Sequence, residues 1–427
     1  MIFLDLSVVL MSLYFVCRSI KKIYCGKYSM LHFCVIIFFV MQVLPLFIGC
    51  FGSMDKIKQY YPYMYYAMTD FDVTWIYDLF VIICIFILSY NADKLAKKSK
   101  NKALLKNLRL GEKRVYVAII AAILMLVPLF GIIIAPNPKI YLEFSYFYMN
   151  KYSANGIDYL YYNTVMKMLT YLSFGAMLTF YYTARKYKKI YTYMVIIGLT
   201  WLNGKRTLMV FMLLGILVID FLKWDKHNKS YIKSLIYKAF LFLCVIVIYY
   251  VLYKDTTGKS DFADSYLLYT TYFSRLCNVK VAIYDRLNGL NMLDYSGQTL
   301  LHDVLFFIPR SLWKNKPYPY FRYFTSYVYY GVSDKVVPNM QFQVNMWSEF
   351  ISNAGILGFV LALVMVINMI RKCEKANNSI ILLLGSGFVF LYMMYGFEHI
   401  VQIVFVIWVL ASLRWRIKGK IVFRSKI

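Results

Sequence analysis

The residues best suited to bind an anion are arginines in one polar stretch of the chain, residues 254–353. Arg275 and Arg286 are eleven residues apart, which on a helix of about 100° per residue places them roughly 20° apart around the axis. Asn278 follows Arg275 by about one turn, and Arg310 begins a second basic and aromatic group. Planar guanidinium groups suit phosphate oxygens, so this pattern predicts an anion site. The alternative is a capping subdomain whose basic residues are simply solvated.

Two helices are expected to position these side chains. The first covers about 262–287, because apolar residues recur there at three- and four-residue steps and Asn288-Gly289 supplies a stop. A second, shorter helix covers about 299–307 and ends at Pro309. Arg310 then precedes a run of aromatic residues: Trp313, Tyr318, Tyr320 and Phe321.

The rest of the chain has the composition of a helical membrane protein. Hydrophobic residues make up 61% of it, charged residues only 16%, and the mean hydropathy is +0.57. Apolar runs recur that are long enough to cross a hydrocarbon core of ~30 Å as helices. The pattern predicts an all-α polytopic protein with about eleven transmembrane helices, at roughly 3–20, 31–53, 71–90, 115–135, 161–183, 190–203, 207–222, 235–253, 354–370, 379–397 and 400–413.

This hydropathy pattern also predicts the division of the chain. Residues 1–253 form an N-terminal bundle of about eight spans. Residues 254–353 form one large loop between the eighth and ninth spans. Residues 354–427 contain the last spans and a basic tail.

The net charge of +27 is explained by membrane topology without nucleic acid. Of the 48 Lys and Arg residues, 30 lie in six alternate loops: 18–27, 94–114, 185–189, 223–233, 371–375 and 414–426. Cytoplasmic loops carry such an excess, so the N-terminus is expected outside and the C-terminus in the cytoplasm. The same alternation places the 254–353 loop on the outer face.

A second informative position is Asn203-Gly204-Lys205-Arg206. It lies between Lys189 and Lys223, which are separated by only 33 residues, so two short spans must form a tight hairpin with the glycine at its outer turn. Lys205 and Arg206 then lie at the outer hydrocarbon boundary, where a cation is a functional candidate. The alternative is a cytoplasmic anchor and a wrongly assigned span.

Few residues suggest a metal or a nucleotide. No Cys/His spacing typical of zinc and no phosphate-binding glycine loop is present in the sequence, so neither a metal nor another cofactor is expected. Asp70-Phe71-Asp72 has an acid-x-acid form associated with metal-diphosphate binding, but acids also cap helices. Glu398-His399 lies at a short outer turn and either lines the same cavity as the loop or ends its helices.

Three segments resemble one known family, the Wzy-type polymerases of O-antigen and capsular repeat units. Gly204-Lys205-Arg206 opening an apolar helix is similar to its membrane motif. Residues 307–313 with Lys316-Pro317 resemble its outer-loop signature. Residues 349–355 with Leu357-Gly358 resemble the segment that re-enters the membrane. The order of the three segments around one outer loop supports the resemblance, which covers about residues 200–360.

The resemblance implies a GT-C-like glycosyltransferase of the bacterial cytoplasmic (inner) membrane. It would transfer a growing glycan from undecaprenyl diphosphate to a hydroxyl of the next lipid-linked repeat unit. Its partners would be the polyprenyl-diphosphate-linked oligosaccharide, the lipid bilayer, a flippase and a chain-length regulator. A departing diphosphate requires cations where charge develops, and the candidates are Arg206, Arg275 and Arg310, supported by Lys205 and Arg286.

The same chemistry requires a base within reach of the acceptor hydroxyl. Glu349 is the first candidate because it lies near the membrane entry, and its alternative is an acid favoured by a helix N-terminus. The other eligible groups are Asp285, His302 and Asp303.

Other functions share parts of this pattern. An O-antigen ligase, which transfers lipid-linked glycan to lipid A-core, would have the same topology and is the nearest alternative. A repeat-unit flippase is disfavoured because it should show two related halves. A structural or receptor protein would need no arginines at the hydrocarbon edge.

The orientation can be tested with a reporter that is active only outside the cytoplasm. Fusions at Asn291 and Lys335 should be active, and fusions at Lys100 and Lys418 inactive, because positive loops stay inside. Activity of the Lys100 fusion would contradict the orientation and an outer location of the 254–353 loop.

Overall fold

The structure is a computed structural model that describes residues 2–52, 54–98, 113–143, 156–183, 190–203, 206–223, 229–256, 266, 269–270, 274–332, 342–376, 379–401 and 404–405. These residues form helices, and no β-strand occurs among them. The chain divides into two compact units, one containing residues 1–101 and 262–427 and the other residues 102–261. The division predicted from hydropathy is different, because packing groups the 262–353 stretch with the first and last helices.

The helices before residue 262 carry eight of the eleven predicted apolar runs. The first part of the first unit contains α1 (Ile2–Tyr24), α2 (Met30–Phe38), α3 (Leu44–Gly49), α4 (Asp55–Tyr60), α5 (Pro62–Thr69) and α6 (Phe71–Lys98). The second unit contains α7 (Lys113–Met125), α8 (Val127–Ile133), α9 (Lys139–Leu142), α10 (Gly156–Tyr161), α11 (Lys167–Thr183), α12 (Ile190–Asn203), α13 (Arg206–Lys223) and α14 (Lys229–Thr256). Two π-helical turns, Phe39–Val43 and Tyr162–Met166, continue α2 into α3 and α10 into α11.

The first unit resumes with α15 (Leu276–Asn288), α16 (Gln298–Val304), α17 (Tyr320–Tyr330), α18 (Met346–Ala376) and α19 (Ser379–Met394). Helix α15 packs against α18, α5 and α6, and α16 packs against α18. The described part of the polar stretch therefore contains short helices, and α15 and α16 lie on other helices of the first unit.

Five of the described helical segments are long and apolar enough to cross a membrane: Phe3–Tyr24, Met30–Gly49, Phe71–Lys97, Val115–Ile133 and Met346–Lys375. This confirms the class, an all-helical protein with the apolar helices of a membrane protein. Eleven spans and their orientation stay predictions. The last predicted span, 400–413, lies mostly outside the described residues.

The predicted hairpin around Gly204 is present as two helices that pack together, α12 and α13. Asn203 ends α12 and is buried. Its side-chain nitrogen donates to Thr170 Oγ1 at 3.1 Å and to the Leu199 carbonyl at 2.8 Å. A buried amide requires such partners, so Asn203 fixes the end of α12 against α11.

The start of α18 is anchored by Trp347, whose side chain is fully buried. Its ring lies within 5.6–6.3 Å, between centroids, of rings from α2, α6 and α19 as well as from α18 itself: Phe38, Phe80, Phe359 and Tyr392. Between apolar helices, such close packing is the main attractive contribution. The first turns of α18 are thus held rigidly against the spans.

Helix α18 is broken at Ala354 and Gly355. Gly355 has φ 55° and ψ −130°, a conformation that is open to glycine and strained for other residues. The break also turns the Phe350 carbonyl towards Gly358, where a Cβ atom would lie only 1.8 Å from the carbonyl oxygen. Irregular backbone at membrane depth is tolerated only where protein or a cavity surrounds it. The break is therefore a specific part of the fold of the first unit, which the two glycines permit.

Gly358→Ala should lower the melting temperature of the detergent-purified protein by several degrees, because the added methyl group must displace backbone and not a flexible side chain. The matched control is Gly387→Ala in α19, where a Cβ atom meets nothing within 4 Å. Alanine is favoured over glycine inside a helix by about 0.5–1 kcal/mol, so this control should be neutral or slightly stabilised. Equal melting temperatures for the two variants would contradict the close approach at Gly358.

Candidate functional site

The Glu349 carboxyl group is the centre of the candidate site. It lies in the first turn of α18, and the residue is only 1% exposed. One carboxyl oxygen accepts from Thr299 Oγ1 at 2.9 Å, and the other accepts from the Phe397 backbone N–H at 2.6 Å. A Cβ at Gly396 would lie 2.9 Å from the second oxygen, so the glycine permits this approach. Glu349 thus joins α16, α18 and the turn after α19.

Asp303 supplies a second buried carboxyl group beside it. The side chains of Asp303 and Glu349 lie within hydrogen-bonding reach of each other. Asp303 is fully buried, and its Oδ2 atom meets no nitrogen or hydroxyl donor among the described residues. Two carboxyl oxygens can form a hydrogen bond only if one carries a proton. The two groups therefore share a proton.

His302 extends the pair towards the surface. Its Nδ1 atom lies 2.9 Å from Asp303 Oδ1, and the residue is 7% exposed. Burial lowers the pKa of His302, while the negative charge of Glu398 raises it. Burial raises the pKa of Asp303 to about 7, although the hydrogen bond with Glu349 acts in the opposite direction. His302 is therefore neutral at neutral pH, and the most exposed member of the three.

Asn353 fixes the two helices that carry these groups. Its side-chain nitrogen donates to Thr299 Oγ1 and to the Glu349 carbonyl, both at 2.7 Å. Its side-chain oxygen accepts from the Thr299 backbone N–H at 3.2 Å. Sequence reasoning singled out neither Asn353 nor Thr299 as a site residue. The available signal was spacing: Glu349 and Asn353 are four residues apart, as are Thr299 and Asp303, so each pair shares one helix face.

Arg275 and Arg286 do not share a helix face, so that prediction was wrong. Ser274 and Arg275 are not helical, and α15 begins at Leu276, whose N–H donates to Ser274 Oγ at 3.2 Å. The predicted helix over 262–287 is therefore interrupted at Ser274 and Arg275. Its earlier part lies largely outside the described residues, of which 266, 269 and 270 are helical. Arg286 is exposed and donates to Ser296 Oγ at 3.3 Å.

The Arg275 guanidinium is enclosed, with the residue 1% exposed. It donates to Gln343 Oε1 at 2.8 Å and to the Ser274 carbonyl at 3.0 Å. Burial lowers the pKa of Arg275 to about 10, so the group stays charged at neutral pH. Asn278 reaches the same segment, donating to the Gln343 carbonyl at 2.7 Å. Arg275 and Asn278 therefore both hold Gln343, in the segment before α18, and their predicted role in anion binding stays a prediction.

The Arg310 guanidinium is turned towards its own loop. It donates to the Lys316 carbonyl at 2.6 Å and to the Pro317 carbonyl at 2.9 Å, and it lies over the Tyr318 ring at 4.1 Å. Helix α16 covers Gln298–Val304, slightly earlier than the predicted 299–307. Arg310 therefore shapes the turn that follows α16.

Arg206 begins α13 in the second unit. Its side chain, with Lys205, lies outside the described residues.

In the structure, Asp285 and Asp70 accept hydrogen bonds from backbone N–H groups. Asp285 is buried and accepts from the Met292 N–H at 2.8 Å; burial raises the pKa of Asp285, and this hydrogen bond lowers it. Asp70 accepts from the Val73 N–H at 2.9 Å and so caps the start of α6. Among the described residues, no three His, Cys, Asp or Glu side chains converge as metal ligands.

Comparison with known proteins finds no match: no family model, no curated protein and no solved structure is significantly similar to this chain. The chemistry of the site therefore has to be argued from its own residues.

The raised pKa of Asp303 predicts a pH-dependent stability. The native state holds a proton up to about pH 7 that the unfolded carboxyl, with its ordinary value of 3.8, has already released. Its stabilising contribution is complete below the unfolded pKa and is lost as the pH rises through the folded one. The free energy of unfolding should therefore fall between about pH 4 and pH 7. Asp303→Asn, which cannot titrate, should flatten this fall in melting temperature; an unchanged slope would contradict the raised pKa of Asp303.

Proposed function

We propose that the chain is a bacterial membrane glycosyltransferase that polymerises lipid-diphosphate-linked oligosaccharide repeat units at the outer face of the cytoplasmic membrane. The observation that carries the proposal is the His302–Asp303–Glu349 unit. It lies where the polar 254–353 stretch joins the apolar helix α18. At this position a proton-accepting group can meet a sugar hydroxyl while the lipid anchor of the substrate stays in the membrane.

In the proposed reaction, His302 contacts the acceptor hydroxyl. Its Nδ1 side faces Asp303, which leaves Nε2 to accept a proton from the hydroxyl. The hydroxyl oxygen forms a bond to the anomeric carbon of the donor glycan as that carbon's bond to the diphosphate oxygen breaks. The electron pair of the broken bond leaves with the diphosphate. Asp303 orients the imidazole and stabilises the imidazolium that forms, as a buried carboxylate does for a catalytic histidine.

Glu349 was the first candidate for the base, and the proposal assigns it a positioning role instead. Both of its oxygens already accept hydrogen bonds, and the carboxyl is enclosed by Thr299, Phe397 and Asp303. A hydroxyl reaches the unit more directly through His302. By sharing a proton with Asp303, Glu349 limits the negative charge next to the imidazole.

Arg286, which is exposed in the first unit, is proposed to meet the departing diphosphate, and the roles of Arg206 and Lys205 stay predictions. Developing negative charge must be met by positive groups in place before the reaction. Arg275 is assigned to the architecture, because its guanidinium is enclosed and its terminal nitrogens donate to Gln343 and to the Ser274 carbonyl. Arg310 is assigned to the architecture of its loop, because both terminal nitrogens donate to loop carbonyls.

His302→Asn tests the base. The amide of asparagine can still donate to Asp303 but cannot take a proton from the acceptor, and loss of a general base slows reactions on the order of 10²- to 10⁴-fold. Purified protein with lipid-linked repeat units should therefore elongate glycans at least a hundredfold more slowly, with an unchanged melting temperature.

The matched control is His399→Asn, the same change at an exposed histidine, which should elongate within a few-fold of wild type. Wild-type elongation by His302→Asn would remove His302 from the mechanism. Product formed only when lipid A-core is added would indicate a ligase and contradict the polymerase.

A further inference from the structure

The turns after α16 expose a group of large apolar side chains. Val304 is 55% exposed, Phe307 67% and Leu312 81%. We name residues 304–318 the apolar platform. Exposed apolar side chains grouped on a polar stretch indicate an interaction surface, since exposed apolar patches mark such sites.

The platform is a built structure, because two of its basic side chains, Arg310 and Lys316, are turned inward to hold its backbone. Arg310 donates to the carbonyls of Lys316 and Pro317. Lys316 is itself buried, and its Nζ donates to the carbonyls of Phe306 and Ile308, both at 2.8 Å. Because Arg310 and Lys316 satisfy these carbonyls from inside, the apolar side chains can face outward without leaving the carbonyls unsatisfied.

The platform lies next to the point where α18 becomes an apolar span. Helix α16, which leads into the platform, is bonded through Thr299 to Glu349 and Asn353. The break in α18 follows directly at Ala354, and Ile356 beyond it is 78% exposed. Neighbouring exposed apolar residues at this position indicate the level of the membrane boundary, where aromatic and apolar side chains collect.

The charge of the segment indicates what it contacts. Residues 304–322 contain four basic residues and no acid. Lys314 is exposed, and the Arg322 guanidinium lies over the Tyr318 ring at 3.5 Å. Apolar side chains beside cations are the composition of segments that lie in the plane of an anionic membrane surface.

We propose that the apolar platform inserts into the outer leaflet of the membrane, with Phe307 and Leu312 among the acyl chains and Lys314 and Arg322 at the phosphates of anionic phospholipids. The inserted platform holds α16, and with it His302, at the bilayer surface. This inference stands on exposure and charge and does not require the proposed glycosyl transfer.

A nitroxide label measures the depth of the platform. The labelled position is Leu312→Cys, and the matched control is Leu290→Cys, another exposed leucine of the outer stretch outside the platform. Both are placed in a background where Cys17, Cys25, Cys50 and Cys244 are serine, since the other cysteines are buried: Cys34, Cys84, Cys277 and Cys373. The full chain is reconstituted in nanodiscs of phosphatidylcholine with phosphatidylglycerol.

The label at 312 should collide more with oxygen, which concentrates in lipid, than with a water-soluble nickel chelate, and the label at 290 should show the reverse. Greater accessibility of position 312 to the nickel chelate would overturn insertion. Protection of position 312 from both reagents would also overturn it, since that result indicates a protein contact.

A second arm tests the headgroups. The Leu312 label should lie deeper in discs with phosphatidylglycerol than in discs of phosphatidylcholine alone, and Lys314→Glu should remove that difference. Equal depth in both membranes would overturn the assignment to anionic lipid. A depth that depends on phosphatidylglycerol equally with and without Lys314→Glu would remove Lys314 from the contact.

Discussion

Two carboxyl groups buried side by side are stable together only when they share a proton, and the Glu349–Asp303 pair places this constraint on α16 and α18 of the first unit. An unpaired buried charge would destabilise the fold by several kcal/mol. Hydrogen bonds from the surrounding residues offset this cost. Thr299 and the Phe397 N–H hold the Glu349 oxygens, and Asn353 holds Thr299. The short helix α16 is fixed to the membrane helix α18 by these bonds.

The break in α18 is a second constraint, which concerns the backbone of the helix. A continuous helix would satisfy every backbone group by itself, which is why membrane spans are normally regular. Here the helix is interrupted at Gly355, two residues after Asn353, and Gly358 allows the Phe350 carbonyl to approach. The interruption separates a short enclosed segment carrying Glu349 from the long apolar segment after it. A polar site can therefore be kept at the end of an apolar span.

Parts of this arrangement follow from the sequence, and the parts that do not have physical reasons. Hydropathy and glycine placement predict the apolar helices and the hairpin at Gly204, because both depend on local composition. The prediction of a common face for Arg275 and Arg286 was wrong, since Arg275 has non-helical backbone angles and the helix begins only at Leu276. The inward turn of Arg310 depends on loop carbonyls that no periodicity shows. Asp303 and Glu349 are 46 residues apart in the chain, and their proximity depends on packing between two helices. The four-residue spacing of each residue with its polar neighbour was visible in the sequence.

The shared proton is the central claim, and infrared spectroscopy measures it directly. A protonated carboxyl group has a carbonyl stretch that a carboxylate lacks, so spectra of the purified protein in nanodiscs slightly below neutral pH should contain this band. The band should be lost or displaced in both Glu349→Gln and Asp303→Asn, because removing either partner changes the group that holds the proton. It should be unchanged in Glu143→Gln, the same substitution at an exposed glutamate. A band that is identical in wild type and in both pair variants would contradict the account.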